Sequence, residues 1–242
     1  MRPRKVWFGD AARPAFFTRY RQVASVARVP FMVRRSFSTI LLDLSHSPEA
    51  LLASCAANCR NEIRRGHKEG LTFRAGPPEA HDLDFFGAFM ASRGLGRVNL
   101  AYAFDPEIFV TSAHLAGERL ASHLYIMPAR SARGRLIYSA TAIAATDGAG
   151  AEPISASAKI TGIANRWLHY QDALFLRERG ASLCDLGGLG TEESDPKIRG
   201  INRFKRSFGG EEITESNYDP VLLVAVESAL NGVRKLSRRF RP

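Results

Sequence analysis

A lysine on a predicted helix, shortly after a glycine-rich turn, is the residue of this 242-residue chain best placed to do chemistry. The helix begins at Pro196, behind an aspartate cap, and stops at Gly209. At about 100° per residue, Ile198 and Ile201 lie on its inward side, with Lys205 at the margin of that side. A cation directed toward an apolar face is expected to be neutralised, paired, or used on an anionic ligand or a developing negative charge. The alternative is a lysine whose stem covers apolar surface while its amine reaches water.

The stretch before this helix, residues 184–190, predicts the end of a buried strand and a glycine-rich turn. Asp185 stands where the strand ends, just ahead of Gly187 and Gly188. Its carboxylate could orient Lys205 or receive a proton. It could equally cap the turn that follows, because aspartate side chains readily hydrogen-bond turn backbone.

Two histidines are candidate bases near neutral pH. His123 falls on a mostly apolar face of a predicted strand, which is typical of a hydrogen-bonded core histidine. His169 shares a polar stripe of a predicted helix with Asn165 and Asp172, where it could be solvated. The sequence has no recognisable Ser-His-Asp, Cys-His or zinc pattern, and Cys55 and Cys59 lie on an apolar helical stripe. The sequence therefore predicts chemistry without a metal or a covalent intermediate.

Arginines recur on the predicted helix over residues 48–68, which Ser47 is predicted to cap. Arg60, Arg64 and Lys68 repeat at i, i+4, and Arg65 adjoins them. Like charges at this spacing are mildly destabilising. The stripe is therefore either a solvated face or a surface that meets an anion.

The remaining pattern predicts an α/β protein with a mixed sheet and helices on both faces. The clearest signal is a β-hairpin of residues 119–127 and 135–145. A short helix around Phe16 and Tyr20 is predicted near the amino terminus. The other predicted strands are 38–44, 71–74, 182–186 and 212–218. The other predicted helices are 82–92, 105–114, 161–179 and 220–240, and residues 151–161 are predicted to be a polar loop.

The net charge and the composition limit the classes of partner that the chain is expected to bind. The net charge is +10 and the hydrophobic content is 45%, so a folded core is expected together with phosphate-bearing, lipid or nucleic-acid partners. There is no apolar run of about 18 residues and no secretory signal, and the odd cysteine count favours a reducing, cytoplasmic setting. Residues 1–35 are interpreted as a basic extension packed on a single domain of residues 36–242, which ends in a basic helix.

Strand-Asp-Leu-Gly-Gly followed by RFKRSFGGE resembles the signature of the Fem peptidyltransferase (FemAB-like) branch of the GNAT acyltransferase superfamily. NCRNEIRR, residues 58–65, is similar to the arginine motif of that family's first helix. Residues 167–188 resemble its helix-strand unit before the Gly-Gly turn. The resemblance runs from about residue 39 to residue 216, with 185–211 its specific part, and implies a GNAT-like fold whose sheet splays open.

The resemblance also implies roles for individual residues. Lys205 is expected to stabilise the transition state of acyl transfer, with Phe204 lining the same site. The donor loop is expected at SAKITGIANRW, where Gly162 and Ala164 match part of the Q/R-x-x-G-x-G/A pattern of coenzyme A binding. Candidate donor-binding residues are Gly162, Asn165, Arg166, Gly187 and Gly188. Candidate substrate-binding residues are Arg60, Arg64, Arg65, Tyr138, His169, Asn202 and Arg203.

The function expected from this resemblance is transfer of an acyl or aminoacyl group to an amine or hydroxyl of a cell-envelope or polysaccharide precursor. The donor is acyl-CoA or aminoacyl-tRNA, and peripheral contact with an anionic membrane at its inner face is expected as well. The alternative is a catalytically inactive GNAT-like module that binds anionic membrane surface or nucleic acid.

Overall fold

A computed structural model describes residues 4–94, 108–128, 132–142, 158–192 and 194–229. The chain divides into two compact units. The terminal unit comprises Met1–Thr39 and Glu212–Pro242, and the central unit comprises Ile40–Glu211. This division differs from the predicted boundary after residue 35, because it groups both ends of the chain in one unit.

The described elements alternate between strands and helices along the chain. The strands are β1 (Arg4–Trp7), β2 (Thr18–Val23), β3 (Met32–Asp43), β4 (Thr72–Gly76), β5 (Ile108–Leu115), β6 (Glu118–Ile126), β7 (Arg133–Thr141), β8 (Leu183–Gly188) and β9 (Glu211–Pro220). The helices are α1 (Pro48–Ser54), α2 (Ala57–Lys68), α3 (Ala80–Ser92), α4 (Ala158–Glu178), α5 (Pro196–Arg206) and α6 (221–229). Among the described helices, none combines the length and the hydropathy that a membrane span requires.

The sheet of the central unit has the strand order β3–β8–β7–β6–β5–β4. Strands β4 to β7 are antiparallel, whereas β7 and β8 are parallel. In the terminal unit, β1 and β2 are parallel, β2 and β9 are antiparallel, and β3 lies beside β9. The predicted α/β class with a mixed sheet is confirmed.

Helices cover both faces of the central sheet. The α4 side chain of Asp172 meets His123 of β6, while Phe86 of α3 meets Tyr138 of β7. Tyr138 pairs with Leu124, the neighbour of His123, so it lies on the opposite face. The core between the sheet and α4 includes Trp167, which is 3% exposed.

Local signals at helix starts are confirmed by the structure. The side chain of Ser47 accepts a hydrogen bond of 3.2 Å from the backbone N–H of Ala50, ahead of α1. Asp195 accepts one of 2.7 Å from the N–H of Lys197, with Pro196 in the first turn of α5. Short polar caps of this kind satisfy backbone donors that a helix leaves unpaired.

Several predicted elements are wrong. The helix predicted over 105–114 is strand β5, buried along nearly all its length, and residues 105–107 lie outside the described residues. A strand buried on both faces lacks the alternation that would reveal it. The helix predicted around Phe16 and Tyr20 is replaced by β2, which pairs with β9.

Two predicted helices have different limits in the structure. The helix predicted over 48–68 is broken into α1 and α2, because Cys55 has extended backbone angles (φ −67°, ψ 148°). α4 begins at Ala158, inside the predicted polar loop, of which 151–157 lie outside the described residues. Residues 143–145 of the hairpin and 230–240 of the last helix also lie outside them.

Candidate active site

More of the inward side of α5 is polar than the sequence predicts. Asn202 is 1% exposed and forms two hydrogen bonds with the backbone of Gly190, accepting from N–H at 3.0 Å and donating to the carbonyl at 2.9 Å. Ile201, predicted to face inward, is 52% exposed, which corrects that expectation. Arg203 is exposed as the helical period predicts. Asn202 therefore fastens α5 to the glycine-rich turn.

Lys205 reaches from α5 to the end of strand β8. Its Nζ donates a hydrogen bond of 2.7 Å to the carbonyl oxygen of Gly188. Burial lowers the pKa of Lys205 from its ordinary 10.5 to about 8; the charge of Asp185 acts in the opposite direction, and that of Arg135 lowers it further. The side chain is half-buried, and its amine lies near a carboxylate and beside the end of β8.

Asp185 is fully buried and bonded to two partners. Its Oδ1 accepts a hydrogen bond of 2.8 Å from the N–H of Gly187, which is the turn-capping contact considered from sequence. Its Oδ2 accepts hydrogen bonds of 3.1 and 2.5 Å from Arg133. A buried carboxylate paired in this way holds the turn rigid.

Gly187 lies where a side chain would block the site. Its φ is +77°, a conformation that favours glycine. A Cβ on this residue would lie 3.1 Å from the carbonyl oxygen of Leu136 and 3.5 Å from Nζ of Lys205. Glycine at this position therefore suits both the backbone conformation and the close approach of the Leu136 carbonyl.

The central sheet opens between β7 and β8. Parallel pairing of β7 with β8 joins Arg133–Arg135 to Leu183–Asp185, whereas β7 itself continues to Thr141. The pairing thus reaches Asp185 and stops just before the glycine turn. An opening between two parallel strands is a common place for ligands in α/β proteins.

A buried chain of polar side chains, here called the relay, consists of Asp172, His123, Asn165 and Ser139. Nδ1 of His123 lies 2.5 Å from Oδ2 of Asp172, and its Nε2 lies 2.9 Å from Oδ1 of Asn165. Ser139 donates to the same Asn165 oxygen at 3.3 Å, and Tyr125 donates to Asp172 at 3.1 Å. His123 and Asp172 are 0% exposed, whereas Asn165 and Ser139 are half-buried. His123 can therefore reach a substrate only through Asn165.

His169 connects the relay to α5. Its ring centroid lies 4.2 Å from that of His123, 5.4 Å from that of Phe204 and 5.0 Å from that of Phe208. It is 2% exposed, so the solvated alternative is wrong. Burial lowers its pKa well below the ordinary value, and the nearby charges of His123, Lys205 and Arg166 lower it further. A neutral imidazole is the consequence.

Phe204 is held between aromatic and cationic neighbours. The guanidinium of Arg166 lies 5.0 Å from the centre of its ring and forms an ion pair with Glu62. Phe208 packs edge-on against it at 5.2 Å. These contacts fix the turn of α5 that carries Lys205.

No family model matches the sequence, and neither does any curated protein sequence. Among solved structures, FemX has a TM-score of 0.56 with 14% identity over 75% of this chain and 61% of its own. This chain adopts a FemX-like fold. It spans less than two thirds of the FemX chain.

Two further structures share this fold. The C-terminal DUF2156 domain of a proposed lysylphosphatidylglycerol synthetase from Agrobacterium fabrum has a TM-score of 0.55, with 16% identity over 88% of this chain and 72% of that one. L-PGS from Bacillus licheniformis has a TM-score of 0.53, with 13% identity over 93% and 74%. At these identities the likeness establishes the FemX-like fold alone.

Within the FemX-like fold, some predicted site residues are not brought to Lys205. Arg60 donates to the carbonyl oxygen of Ala53 at 2.9 Å, and so closes the end of α1. Arg65 is exposed and paired with Glu69 at 2.9 Å. Arg60 and Arg64 line a separate cavity of about 390 Å³ with residues of α1.

Three other predicted site residues are not brought to Lys205 either. Tyr138 lies on the opposite face of the sheet from His123, because the bulge in β7 shifts its register. Gly162 is exposed on α4, and a Cβ there would meet no atom within 4 Å. Arg203 faces away from the buried side of α5.

The residues that sequence reasoning missed are the partners of the predicted ones. Arg133 pairs with Asp185 across 52 positions, and no local pattern announces that contact. Asp172 stands on the polar stripe with Asn165 and His169, so helical spacing could have placed it in the site.

His123, His169 and Asp172 also present one ligand atom each within 4.8 Å of one another, a set that could hold a metal ion. Two observations count against that use. Both ring nitrogens of His123 are already hydrogen-bonded. The charges of Lys205 and Arg166 act on His169 and would repel a cation. The cluster is better described as part of the relay.

Proposed function

We propose that this chain is an acyltransferase that moves an acyl or aminoacyl group from acyl-CoA or aminoacyl-tRNA to an amine or hydroxyl of a cell-envelope precursor. One observation carries the proposal: the half-buried amine of Lys205, with its pKa near 8, beside Gly187 and Gly188 at the end of β8, where the sheet opens. The names of two structural neighbours, FemX and a lysylphosphatidylglycerol synthetase, support the same reaction class.

The proposed step is direct transfer. The lone pair of the acceptor nitrogen or oxygen attacks the carbonyl carbon of the donor, and the carbonyl oxygen gains negative charge. When the tetrahedral intermediate collapses, the C–S bond of a thioester or the C–O bond of a tRNA ester breaks. The leaving sulfur or oxygen takes the electron pair, and the proton lost by the acceptor neutralises it.

Lys205 acts on the oxygen that becomes charged. An ammonium has three N–H donors, and in the part of the chain that the structure describes one of them goes to Gly188. A preorganised donor in a site with little water lowers the barrier where charge develops. This role needs the protonated lysine, which the charge of Asp185 favours.

Asp185 serves as a positioning residue in this proposal. Its oxygens are bonded to Gly187 and Arg133, so it holds the turn and does not accept the acceptor's proton. The relay has a related part. Asp172 fixes the ring of His123, and His123 in turn fixes Asn165, whose half-buried amide borders the site.

The identities of the acceptor and of the donor are also proposals. The neighbours named for lysylphosphatidylglycerol synthesis favour a hydroxyl-bearing anionic lipid as one acceptor class, and an amine-bearing precursor is the other. The incomplete Gly162–Ala164 pattern favours aminoacyl-tRNA over acyl-CoA as donor. A cytoplasmic protein in peripheral contact with the membrane would meet both donors and these acceptors.

The test is donor turnover by Lys205→Ala compared with Lys197→Ala, which removes an exposed lysine from the first turn of the same helix. Radiolabelled acyl-CoAs and charged tRNAs are supplied with phosphatidylglycerol vesicles or an amine-bearing precursor, and label transfer is counted. Lys205→Ala should lose about 100-fold or more in rate, the usual loss for removal of an oxyanion donor. Lys197→Ala should keep the wild-type rate.

Equal rates for the two variants would overturn the role of Lys205. The catalytically inactive alternative predicts no label transfer by the wild-type protein with any donor. The observation that favours this alternative is the strong positive charge of the terminal unit, which serves binding without chemistry.

A further inference from the structure

Exposed apolar side chains are concentrated in the terminal unit. Among the described residues, eight large hydrophobic side chains are exposed, and seven of them belong to that unit. They are Phe16, Phe17, Val26, Phe31, Val221, Leu222 and Val226. Single exposed hydrophobic residues need no explanation, but a concentration of them in one small unit marks an interaction surface.

Hydrogen bonds bring part of this set together. The backbone N–H of Val221, at the start of α6, donates to the carbonyl oxygen of Phe31 at 3.0 Å. The hydroxyl of Tyr218 donates to the carbonyl oxygens of Ser25 and Ala27, at 3.0 and 2.6 Å. The loop that carries Val26 and Phe31 is thus fastened next to the first turn of α6.

Phe31 is held out into solvent by this loop. Its side chain is 72% exposed, and its φ is +59°, a region that non-glycine residues seldom occupy. Such a conformation costs roughly 1–3 kcal/mol and persists where the surroundings impose it. A phenylalanine presented to water at that cost suggests a use for its ring.

The same unit carries nearly all of the net charge. It has fourteen arginines and lysines against five acidic residues, a net charge of +9, whereas the central unit has twenty against nineteen. Asp219 is paired with Arg19 and Arg21, and Glu227 with Arg19. Two of the five acidic residues are therefore already neutralised by partners within the unit.

Basic side chains border the apolar ones. Arg28 and Arg34 are exposed and line a cavity of about 700 Å³ together with Val29, Pro30 and Met32. An arginine guanidinium matches phosphate geometry well. Apolar rings and aliphatic chains next to arginines form the combination that binds the boundary between anionic headgroups and acyl chains.

We infer that the terminal unit docks on an anionic lipid bilayer through a docking patch of Val26, Arg28, Phe31, Arg34, Val221 and Leu222. The arginines bind headgroup phosphates while the phenylalanine and the aliphatic side chains enter the boundary region. RNA would use the arginines but has no use for the aliphatic side chains, and a second copy of this chain would be repelled by the shared charge of +9. This inference rests on the membrane contact included in the proposed function, but it uses no step of acyl transfer, so it can fail while the acyl transfer itself stands.

The experiment is sedimentation of the full chain with vesicles of phosphatidylcholine containing 30% phosphatidylglycerol, compared with pure phosphatidylcholine. Binding is expected to the anionic vesicles only, and to weaken when sodium chloride is raised from 0.1 to 0.5 M. Phe31→Ser should lower the partition coefficient about tenfold, and Arg28→Ala about fivefold. Leu222→Ser provides a second apolar variant in case Phe31→Ser disturbs the loop.

The matched controls come from the central unit. Ile201→Ser removes its exposed hydrophobic side chain, and Lys197→Ala removes an exposed charge. Both controls should bind the anionic vesicles like the wild type. A tryptophan at position 31 (Phe31→Trp) should shift its emission to the blue on binding and be quenched by brominated lipid.

Three results would overturn the inference. The first is a loss of binding in the controls equal to that in the patch variants. The second is binding of a generic RNA that the patch variants weaken, without binding of the vesicles. The third is a dimer in light scattering that Phe31→Ser dissociates, again without vesicle binding.

Discussion

The two units of this chain both bury polar side chains, but they differ in the apolar surface that they expose and in their net charge. The central unit buries polar and charged side chains, among them Asp172, His123 and Asp185, each 0% exposed. The terminal unit also buries carboxylates, those of Glu215 and Asp219, but in addition it exposes large apolar side chains such as Phe31, which is 72% exposed. One unit is close to neutral and the other has a charge of +9.

Both features cost stability, and the cost indicates where function lies. Burying a charge is unfavourable unless partners replace the lost water, and groups arranged in that way are typical of reaction sites. An exposed apolar ring gives up the gain of burial and is typical of a binding surface. We therefore expect the chemistry to take place in the central unit and the terminal unit to attach the chain to the bilayer.

The largest expected effect contrasts a buried polar residue with an exposed apolar one. His123→Leu removes the partner of Asp172 and should lower the free energy of unfolding by about 3–5 kcal/mol, because a buried carboxylate is left without a counter-charge. Phe31→Ser should change it by less than about 0.5 kcal/mol. Denaturant unfolding of both variants measures the difference.

A second variant separates charge from packing at this position. Adding Asp172→Asn to His123→Leu removes the stranded carboxylate and should recover part of the lost stability. Two results would contradict this account of the central unit. In the first, His123→Leu lowers the free energy of unfolding by less than about 1 kcal/mol. In the second, Asp172→Asn restores none of the lost stability; either result would mean that His123 and Asp172 are not a charged pair.

Replacement of Lys205 should have a smaller effect on the free energy of unfolding, and one of opposite sign. The pKa of Lys205 in the folded protein is about 8, below its ordinary 10.5, so between these values the unfolded state binds more protons. Burial of the amine therefore lowers stability fully below pH 8, and this loss disappears as the pH rises toward 10.5. Lys205→Met should raise the free energy of unfolding by about 1–2 kcal/mol at pH 7, after allowance for the lost hydrogen bond to Gly188.

The control for this prediction is pH itself. Near pH 10.5 the advantage of the variant should have disappeared, and the variant should be no more stable than wild type. A variant less stable than wild type at pH 7 would mean that the lysine supports the fold instead of serving the site.

The sequence predicted the parts of this molecule that depend on neighbouring residues. Caps at Ser47 and Asp195 and the β6–β7 hairpin follow from short-range hydrogen bonding and alternation. The placement of Lys205 near the inward margin of α5 follows from helical spacing alone. These features are local, so a single sequence contains the information.

Features that depend on distant residues were not predictable. The bulge in β7 moved Tyr138 to the other face, and it results from pairing with β6. The ion pair of Arg133 with Asp185 joins residues 52 positions apart. The terminal unit likewise forms when β9 pairs with β2, so a boundary drawn from composition at residue 35 could not include residues 212–242.

The most direct test of the central claim is the pH dependence of kcat/KM for wild type and for Lys205→Arg. If protonated Lys205 stabilises the oxyanion, the wild-type value should fall as the pH rises through about 8. The residual activity of Lys205→Arg should lack that fall, because a guanidinium stays charged. A wild-type value that rises through pH 8, or the same alkaline fall in Lys205→Arg, would contradict the account.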